Sequence, residues 1–291
     1  MRVSAENMIA RRRVGDKGAV DMLKKAGFTG IDYSLTMMND WEETVNAPGA
    51  LSYAEDLRRY AEDRDIPFVQ SHAPFPFKHG MEMSMETKEF YEIVRSMEFA
   101  AHLGAPVIVV HSILTPDDST FMDYNVVFYQ KLLPFAEQFG IRIAVENLPV
   151  RSGPADSPVP RVLGTPEKFR EIQDRLAHPL ICGCLDIGHA NLTVKDVPAF
   201  IRETKGYVQC LHVHDNDGSH DMHELPALYE SDLFTLQWKE VLAALKETGF
   251  DGPFNMEILK YMNRFTTESL PTALKLAAMT ACEMAQVLET D

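Results

Sequence analysis

Six side chains that can bind a metal ion or move a proton follow short apolar runs of the sequence. Each run has the length of a β-strand and ends in a polar residue that an apolar strand does not need. These residues are His72, His111, Glu146, Asp186, His212 and Glu257. Three carboxylates and an imidazole that converge would be unfavourable unless a cation lies between them. The pattern predicts a divalent metal site if the fold brings the strand ends together.

A recurring sequence frame shows which elements position these residues. LKKAGFTGIDYSL at 23–35 and LKETGFDGPFNMEIL at 245–259 share the pattern L-K-x-x-G-F-x-G. Glycine after a helix supplies a left-handed cap, and the apolar run that follows enters a strand. Such cues predict eight strands, at 2–6, 30–34, 66–71, 107–111, 141–146, 181–186, 208–213 and 254–258.

The alternation of strands and helices predicts the fold class. Strands separated by helices at this spacing pair in parallel through right-handed crossovers. Eight such units close a single (β/α)8 TIM barrel, which we expect to form one domain over residues 1–291. A doubly wound open sheet is the alternative, but the first strand is not followed by a glycine-rich phosphate loop.

The expected barrel would place the six polar residues at one mouth. Functional groups of parallel barrels lie just past the carboxyl ends of the strands, and strand alternation puts Glu146 and Glu257 on the inner face. Any one of the six, taken alone, is better explained as a cap or salt-bridge partner, whereas six in matching places are not. Asp32 stays open between a helix cap and a site residue. Structural roles are expected for His79, His102 and His178.

Charge and cysteine content restrict the partners. The chain carries 28 basic and 43 acidic residues, a net charge of −15, which repels nucleic acid and anionic membranes. We therefore expect a small-molecule substrate, no nucleic acid and no membrane, and a homo-oligomer stays open. The four cysteines suit a reduced, cytoplasmic protein. Cys182 and Cys184 are expected to pack inside the barrel rather than to bind zinc.

Four motifs carry a resemblance to a known family. AVEN at 144–147, LDIGHAN at 185–191, LHVHDNDGSHDMH at 211–223 and NMEI at 255–258 resemble the xylose isomerase-like barrel superfamily, which includes sugar phosphate isomerases and epimerases and apurinic endonuclease family 2. The resemblance implies one divalent ion, Mn or Zn first and Co, Fe or Mg as further candidates. Its implied ligands are Glu146, Asp186, His212 and Glu257. His214 has the same strand parity as His212, and only the family pattern favours His212.

The endonuclease branch is the main alternative that the resemblance raises. That branch binds three zinc ions, and its additional ligand positions match His72, His111, Asp221 and His223. Two departures count against it: NLPVRSGP follows Glu146 where the nuclease has a Gly-Gln-Gly run, and the charge of −15 lacks a basic footprint for DNA. In the sugar-enzyme interpretation, His72, His111, His189 and His223 are expected to contact the substrate.

These features predict a metal-dependent isomerase or epimerase of a sugar or a polyol-derived hydroxy carbonyl compound. The ion would polarise a carbonyl, and Glu146 and Glu257 would exchange the proton on the neighbouring carbon. A dehydratase or lyase could use the same site, and a non-catalytic sugar-binding barrel is a further alternative. Two departures from the sugar enzymes leave the substrate open: LPALYESDLFTLQW replaces a P-G-x-G turn, and Asn216 and Asp217 stand where some ketose epimerases carry an arginine.

Overall fold

The eight expected strands are all present in a computed structural model. It describes residues 1–75, 78–116, 118–148, 163–194, 196–229 and 231–290. The strands are β1 Val3–Glu6, β2 Gly30–Ser34, β3 Phe68–His72, β4 Val107–Val110, β5 Arg142–Glu146, β6 Ile181–Asp186, β7 Val208–His212 and β8 Phe254–Met256. Their ends lie within two residues of the predicted ends, because glycine caps and polar termini mark both sides of most apolar runs.

The strands form one parallel sheet that curves into a nearly closed barrel. Their order is β7-β6-β5-β4-β3-β2-β1-β8, so each strand lies beside its neighbour in sequence and β8 lies beside β1. The remaining gap is bridged by two hydrogen bonds: the Val213 amide donates to the Asn255 carbonyl at 2.8 Å, and the Glu257 amide donates to the Val213 carbonyl at 3.1 Å. The predicted (β/α)8 barrel is confirmed, and the doubly wound sheet is wrong.

One or two helices follow each strand around the outside of the barrel. They are α1 Met8–Ala26, α2 Trp41–Thr44, α3 Ala50–Glu62, α4 Lys88–His102, α5 Asp118–Phe139, α6 Pro166–Leu176, α7 Ile187–Thr193, α8 Val197–Glu203, α9 Trp238–Thr248, α10 Leu259–Asn263 and α11 Leu270–Glu289. None of those in the described ranges is both long and apolar enough to cross a membrane. That residues 1–291 form a single domain stays a prediction.

Two apolar layers support the mouth of the barrel. The larger one lies between the strands and the helices and includes Ile143 and Val145. The smaller one fills the barrel interior and consists of Val107, Val109, Ala144, Cys182, Cys184 and Cys210. The three cysteines of this layer are buried free thiols, as predicted for Cys182 and Cys184. These residues precede the polar strand ends along the chain, so they form an apolar floor beneath the mouth.

Candidate metal and active site

All the candidate site residues of the sequence meet at the carboxyl ends of the strands. A cavity of about 790 Å³ opens there, within the range typical of small-molecule sites. Its lining includes His72, His111, Glu146, His189, Asp221, His223 and Glu257. Asp186 and His212 are fully buried and lie against Glu146 and Glu257. One mouth therefore holds both the expected ligands and the expected substrate contacts.

Glu146 lies at the centre of this cluster. One carboxylate oxygen, Oε2, is 2.9 Å from His111 Nε2 and 3.5 Å from His72 Nε2. The other, Oε1, is 3.1 Å from His189 Nδ1 and 3.4 Å from His212 Nδ1. Burial opposes ionisation of Glu146, but the imidazoles, led by His111 and His212, outweigh it and hold its pKa well below the usual range. Glu146 is therefore an ionised carboxylate that reaches two groups of imidazoles at once.

His212 lies among the three expected carboxylate ligands. Its Nδ1 is 3.3 Å from Glu257 Oε2, 3.4 Å from Glu146 Oε1 and 3.8 Å from Asp186 Oδ2. Burial and then the charges of Glu146 and Asp186 raise the pKa of Glu257 well above its usual value. Glu146 and Glu257 thus have pKa values displaced in opposite directions, although both approach the same imidazole nitrogen.

A further cluster of side chains, formed by Asp221, His223, His189 and His214, lies on the other side of Asp186. Asp221 Oδ1 is 3.1 Å from His223 Nε2 and 3.7 Å from His189 Nε2. His214 stacks on His223 with ring centroids 4.0 Å apart, and its Nε2 lies 3.0 Å from Asp186 Oδ1. The same nitrogen lies 3.2 Å from Asp186 Oδ2, so His214 contacts both oxygens of Asp186, and the choice of His212 as the ligand stays a prediction.

The donor atoms of this mouth suit a divalent cation. Four sets of side chains each bring one potential ligand atom per residue to within 4.8 Å of the others. The sets are Asp186–His212–Glu257, Glu146–Asp186–His189, His72–His111–Glu146 and His189–His214–Asp221–His223. His212 Nδ1 and Glu257 Oε2 are buried without a hydrogen-bond partner in the described chain, and a cation between them would offset that cost. Mixed imidazole and carboxylate donors favour Mn, Zn, Co or Fe(II) over Ca.

Asn147 fixes the two central strands relative to each other. Its side-chain oxygen accepts from the Asp186 amide at 2.6 Å, and its side-chain nitrogen donates to the Asp186 carbonyl at 2.9 Å. Asp186 in turn caps α7, because its Oδ1 accepts from the His189 amide at 2.6 Å. The short motifs around residues 147 and 189 therefore set the positions of Glu146, Asp186 and His189 through local hydrogen bonds.

Asp32 is not a helix cap, which was one of its two predicted roles. It lies within β2 on the inner side of the barrel, where Oδ2 accepts from Gln70 Nε2 at 2.9 Å and from Asn255 Nδ2 at 2.8 Å. Its carboxylate faces His212, with Oδ2 3.9 Å from His212 Nε2. Asp32 therefore belongs to the surroundings of the site, and strand alternation did not distinguish this role from capping.

The cavity wall adds residues that the sequence patterns did not indicate. His79, expected to be structural, lies on the wall with its ring 4.4 Å from that of Tyr124. The other two histidines assigned to structure, His102 and His178, contact Glu55 and Glu137 instead. Also on the wall are Met37, Phe75, Lys78, Leu114 and Lys260. His79 and all of these wall residues except Lys260, which lies in α10, come from loops, where neither helix nor strand periodicity gives a signal.

Two motifs lie partly outside the described residues. Of the run NLPVRSGP, residues 149–154 are not described, and LPALYESDLFTLQW lacks residue 230. The comparison of these runs with nuclease and sugar-enzyme loops therefore stays a comparison of sequence.

A buried carboxyl next to the site predicts a pH-dependent stability. Glu6 pairs in register with Asp32, and burial followed by the charge of Asp32 raises its pKa from 4.5 to about 7. The folded protein therefore holds this proton more tightly than the unfolded chain, so the stability that Glu6 contributes is greatest below pH 4.5 and is lost as the pH rises through about 7.

Replacement of Glu6 by Gln is expected to remove this dependence. At pH 8 the Glu6→Gln variant of the metal-free protein should be more stable than the parent by on the order of 3 kcal/mol, since one pKa unit corresponds to about 1.4 kcal/mol. The gain should shrink towards pH 5. Urea unfolding at the two pH values measures both differences, and an equal effect at both would contradict the assigned pKa shift.

Comparison with known proteins supports the same fold. The family described as xylose isomerase-like TIM barrel matches residues 20–277. The uncharacterized protein MJ1311 of Methanocaldococcus jannaschii is 30% identical over 222 residues, which cover 72% of this chain and 70% of that protein.

Two solved structures share the architecture. D-psicose 3-epimerase with D-tagatose, from Clostridium cellulolyticum H10, superposes with a TM-score of 0.73 at 15% identity, covering 100% of both chains. The IolI protein with a binding zinc atom superposes with a TM-score of 0.70 at 18% identity, covering 99% of this chain and 98% of that one. Because the family matches most of the residues, the chain belongs to the xylose isomerase-like TIM barrel family.

Proposed function

We propose that the protein is a divalent-metal-dependent isomerase or epimerase of a sugar or a polyol-derived hydroxy carbonyl compound. One observation carries the proposal: the carboxyls of Glu146 and Glu257 approach the same nitrogen, His212 Nδ1, to 3.4 Å and 3.3 Å from different strands. Two carboxyls that flank the proposed ligand His212 from β5 and β8 are placed to act on a substrate held between them.

In the proposed reaction, four residues bind the metal ion, and the two glutamates among them also transfer protons. The ligands in the proposal are Glu146, Asp186, His212 and Glu257, and a bound divalent ion supplies Lewis-acid polarisation of a substrate carbonyl. One glutamate removes the proton from the carbon next to that carbonyl. The other returns a proton, either to the opposite face of the same carbon or to the adjacent carbon. Epimerisation returns the proton to the carbon that lost it. Isomerisation returns it to the former carbonyl carbon and also moves a proton from the neighbouring hydroxyl to the former carbonyl oxygen.

The imidazoles around the cavity would orient the substrate. His189 is 6% exposed, and its Nε2 points towards Asp221 Oδ1 at 3.7 Å. Burial would lower the pKa of His189, but the charge of Asp186 and contacts with Asp221 and Glu146 raise it well above the usual value. A protonated imidazole donates hydrogen bonds, so His189 suits a substrate hydroxyl. We assign similar contacts to His72, His111 and His223, which line the same cavity.

The structural relatives support a carbohydrate substrate. The superposed Clostridium enzyme is a D-psicose 3-epimerase with D-tagatose, and a further relative from E. coli is a 3-keto-D-glucoside 4-epimerase that covers 96% of this chain with a TM-score of 0.70. Both names describe epimerisation of a sugar that carries a carbonyl group. A dehydratase or lyase remains a related proposal, because it would begin with the same proton abstraction.

A multi-metal phosphodiesterase is the second candidate function. The observation that favours it is the presence of the sets His72–His111–Glu146 and His189–His214–Asp221–His223 beside the proposed ligand set, enough donors for more than one ion. The net charge of −15 opposes it, since binding to DNA depends largely on neutralising its phosphates with basic side chains.

Metal stoichiometry and DNA binding separate the two candidates. We expect one tightly bound divalent ion per chain by plasma mass spectrometry of the purified protein, and no measurable affinity for duplex DNA at physiological salt in a fluorescence-anisotropy titration. Three tightly bound ions per chain, together with cleavage of an abasic-site oligonucleotide at an enzyme-like rate, would favour the phosphodiesterase over the isomerase or epimerase.

A further inference from the structure

A polar network crosses the inside of the barrel directly below the candidate metal site. Asp32 on β2 accepts hydrogen bonds from Gln70 on β3 and Asn255 on β8, and Asn255 Oδ1 accepts from Ser4 Oγ on β1 at 2.8 Å. All four side chains are fully buried. Burying a carboxylate is costly unless its charge is compensated. We therefore expect the Asp32 carboxylate to interact with a positively charged group or a strong hydrogen-bond donor.

Main-chain carbonyls fix the ring orientation of three neighbouring histidines. Nδ1 of each of three site histidines meets a main-chain carbonyl: His72 with Ala73 at 2.8 Å, His189 with Asn147 at 3.0 Å and His223 with Glu257 at 2.9 Å. A hydrogen bond of this kind fixes the orientation of the ring and the role of the nitrogen that makes it.

His212 has no such carbonyl. Neither ring nitrogen of this buried side chain has a hydrogen-bond partner in the described part of the chain. Nδ1 faces the three carboxylates of the candidate site, and Nε2 faces Asp32 Oδ2 at 3.9 Å. The Oδ1 atom of Asp32 is also buried without a partner. A small movement of either side chain would bring Nε2 and the Asp32 carboxylate into hydrogen-bond range.

We propose that Asp32 is a positioning residue that holds the Nε2–H tautomer of His212 and thereby presents the Nδ1 lone pair to the divalent ion. The inference rests on the proposed metal site. A carboxylate behind a metal-binding imidazole fixes the ring and makes the ligand nitrogen more basic. Asp32 takes, for His212, the place that a main-chain carbonyl has for His72, His189 and His223.

Glu6 provides a matched control. It is a second buried carboxyl, paired in register with Asp32 on the adjacent strand, and its Oε1 accepts from the Met8 amide at 3.0 Å. Within the described ranges, Glu6 forms no ion pair with an imidazole, whereas Asp32 contacts His212. Glu6→Gln therefore changes a second buried carboxyl in the same environment and leaves the contact between Asp32 and His212 in place.

The test measures the tautomer and the metal affinity of His212 separately. Histidine labelled with ¹⁵N is observed by NMR in the metal-free protein, and the His212 signals are assigned from their absence in His212→Gln. Zn²⁺ is then titrated against a competing chelator in the parent, in Asp32→Asn and in Glu6→Gln, and the His212 signals report the occupancy of this site.

We expect the metal-free parent to carry the proton of His212 on Nε2. In Asp32→Asn that tautomer should lose population, and the Kd for Zn²⁺ should rise by about 10–100-fold. Glu6→Gln should leave both readouts close to those of the parent. A proton on Nδ1 in the parent overturns the proposal even if Asp32→Asn does not fold, and so does an unchanged Kd in Asp32→Asn or an equal loss in Glu6→Gln.

The two readouts keep this proposal distinct from the proposed function. If Zn²⁺ leaves the His212 signals unchanged, the assigned metal site fails, and the positioning role that depends on it is overturned too. If Zn²⁺ binds at His212 with the expected differences but no sugar is converted, the proposed activity fails while the role of Asp32 stands.

Discussion

Replacing Glu146 or Glu257 by Gln is expected to lower turnover of the true substrate by roughly two to four orders of magnitude, the usual cost of losing a general acid or base. The amide keeps an oxygen that can contact the cation but has no basic site for a proton. The bound metal should therefore be retained at least in part. Steady-state kinetics with metal analysis of the same samples measures both effects.

Glu224→Gln is the control for this pair. Glu224 is a buried glutamate at the same end of the barrel, and its carboxylate pairs with Arg264 rather than lining the cavity. Its amide variant should keep turnover close to that of the parent. If both Glu146→Gln and Glu257→Gln remain active with metal bound, this pair does not transfer the proton.

Replacing Asp186 by Ala is expected to reduce metal affinity by more than about 100-fold. Loss of a residue that only hydrogen-bonds to a metal ligand costs roughly 10–100-fold, and Asp186 is proposed as a ligand itself. Asp186 lies beside His212 and His189 and is fully buried. Burial would raise its pKa, but His189 and His214 lower it to about 2. The carboxylate is therefore ionised at neutral pH and available to a cation.

Asp186→Asn separates metal binding from folding. Asp186 also caps α7 through the His189 amide, and removing a cap costs about 1 kcal/mol, so Asp186→Ala should also lower the melting temperature. The Asn variant can keep the cap with its side-chain oxygen while losing the charge. We expect the lowest metal content by mass spectrometry in Ala, partial retention in Asn, whose side-chain oxygen can still contact the cation, and a larger loss of melting temperature in Ala. Full metal occupancy in Ala would contradict the ligand assignment.

The barrel and the cluster at its mouth could be predicted because both depend on local patterns. Glycine caps and apolar runs mark the strands, and the carboxyl ends of parallel strands meet whatever the details of packing. The inward orientation of Glu146 follows from alternation with Ile143 and Val145, which pack against the helices. Position along a strand was therefore sufficient to bring these side chains to one place.

The contacts between distant strands could not be predicted in the same way. Asp32 accepts from Asn255, 223 positions away in sequence, and that pairing depends on the barrel closing with β8 beside β1. The place of His79 on the cavity wall depends on a loop conformation that has no periodicity. Substrate selectivity depends on loops in the same way, since loops contribute much of the wall, including Phe75 and Leu114.

Solvent deuterium exchange tests the central claim most directly. The metal-loaded protein is incubated in D₂O with a panel of ketoses, inososes and related hydroxy carbonyl compounds, and NMR follows the proton on the carbon next to the carbonyl. We expect deuterium to enter that position during turnover, and the exchange to stop when a chelator removes the ion or when Glu146 and Glu257 are replaced by Gln. Conversion of a substrate with no deuterium entering its carbon skeleton would contradict proton abstraction by this pair of carboxylates.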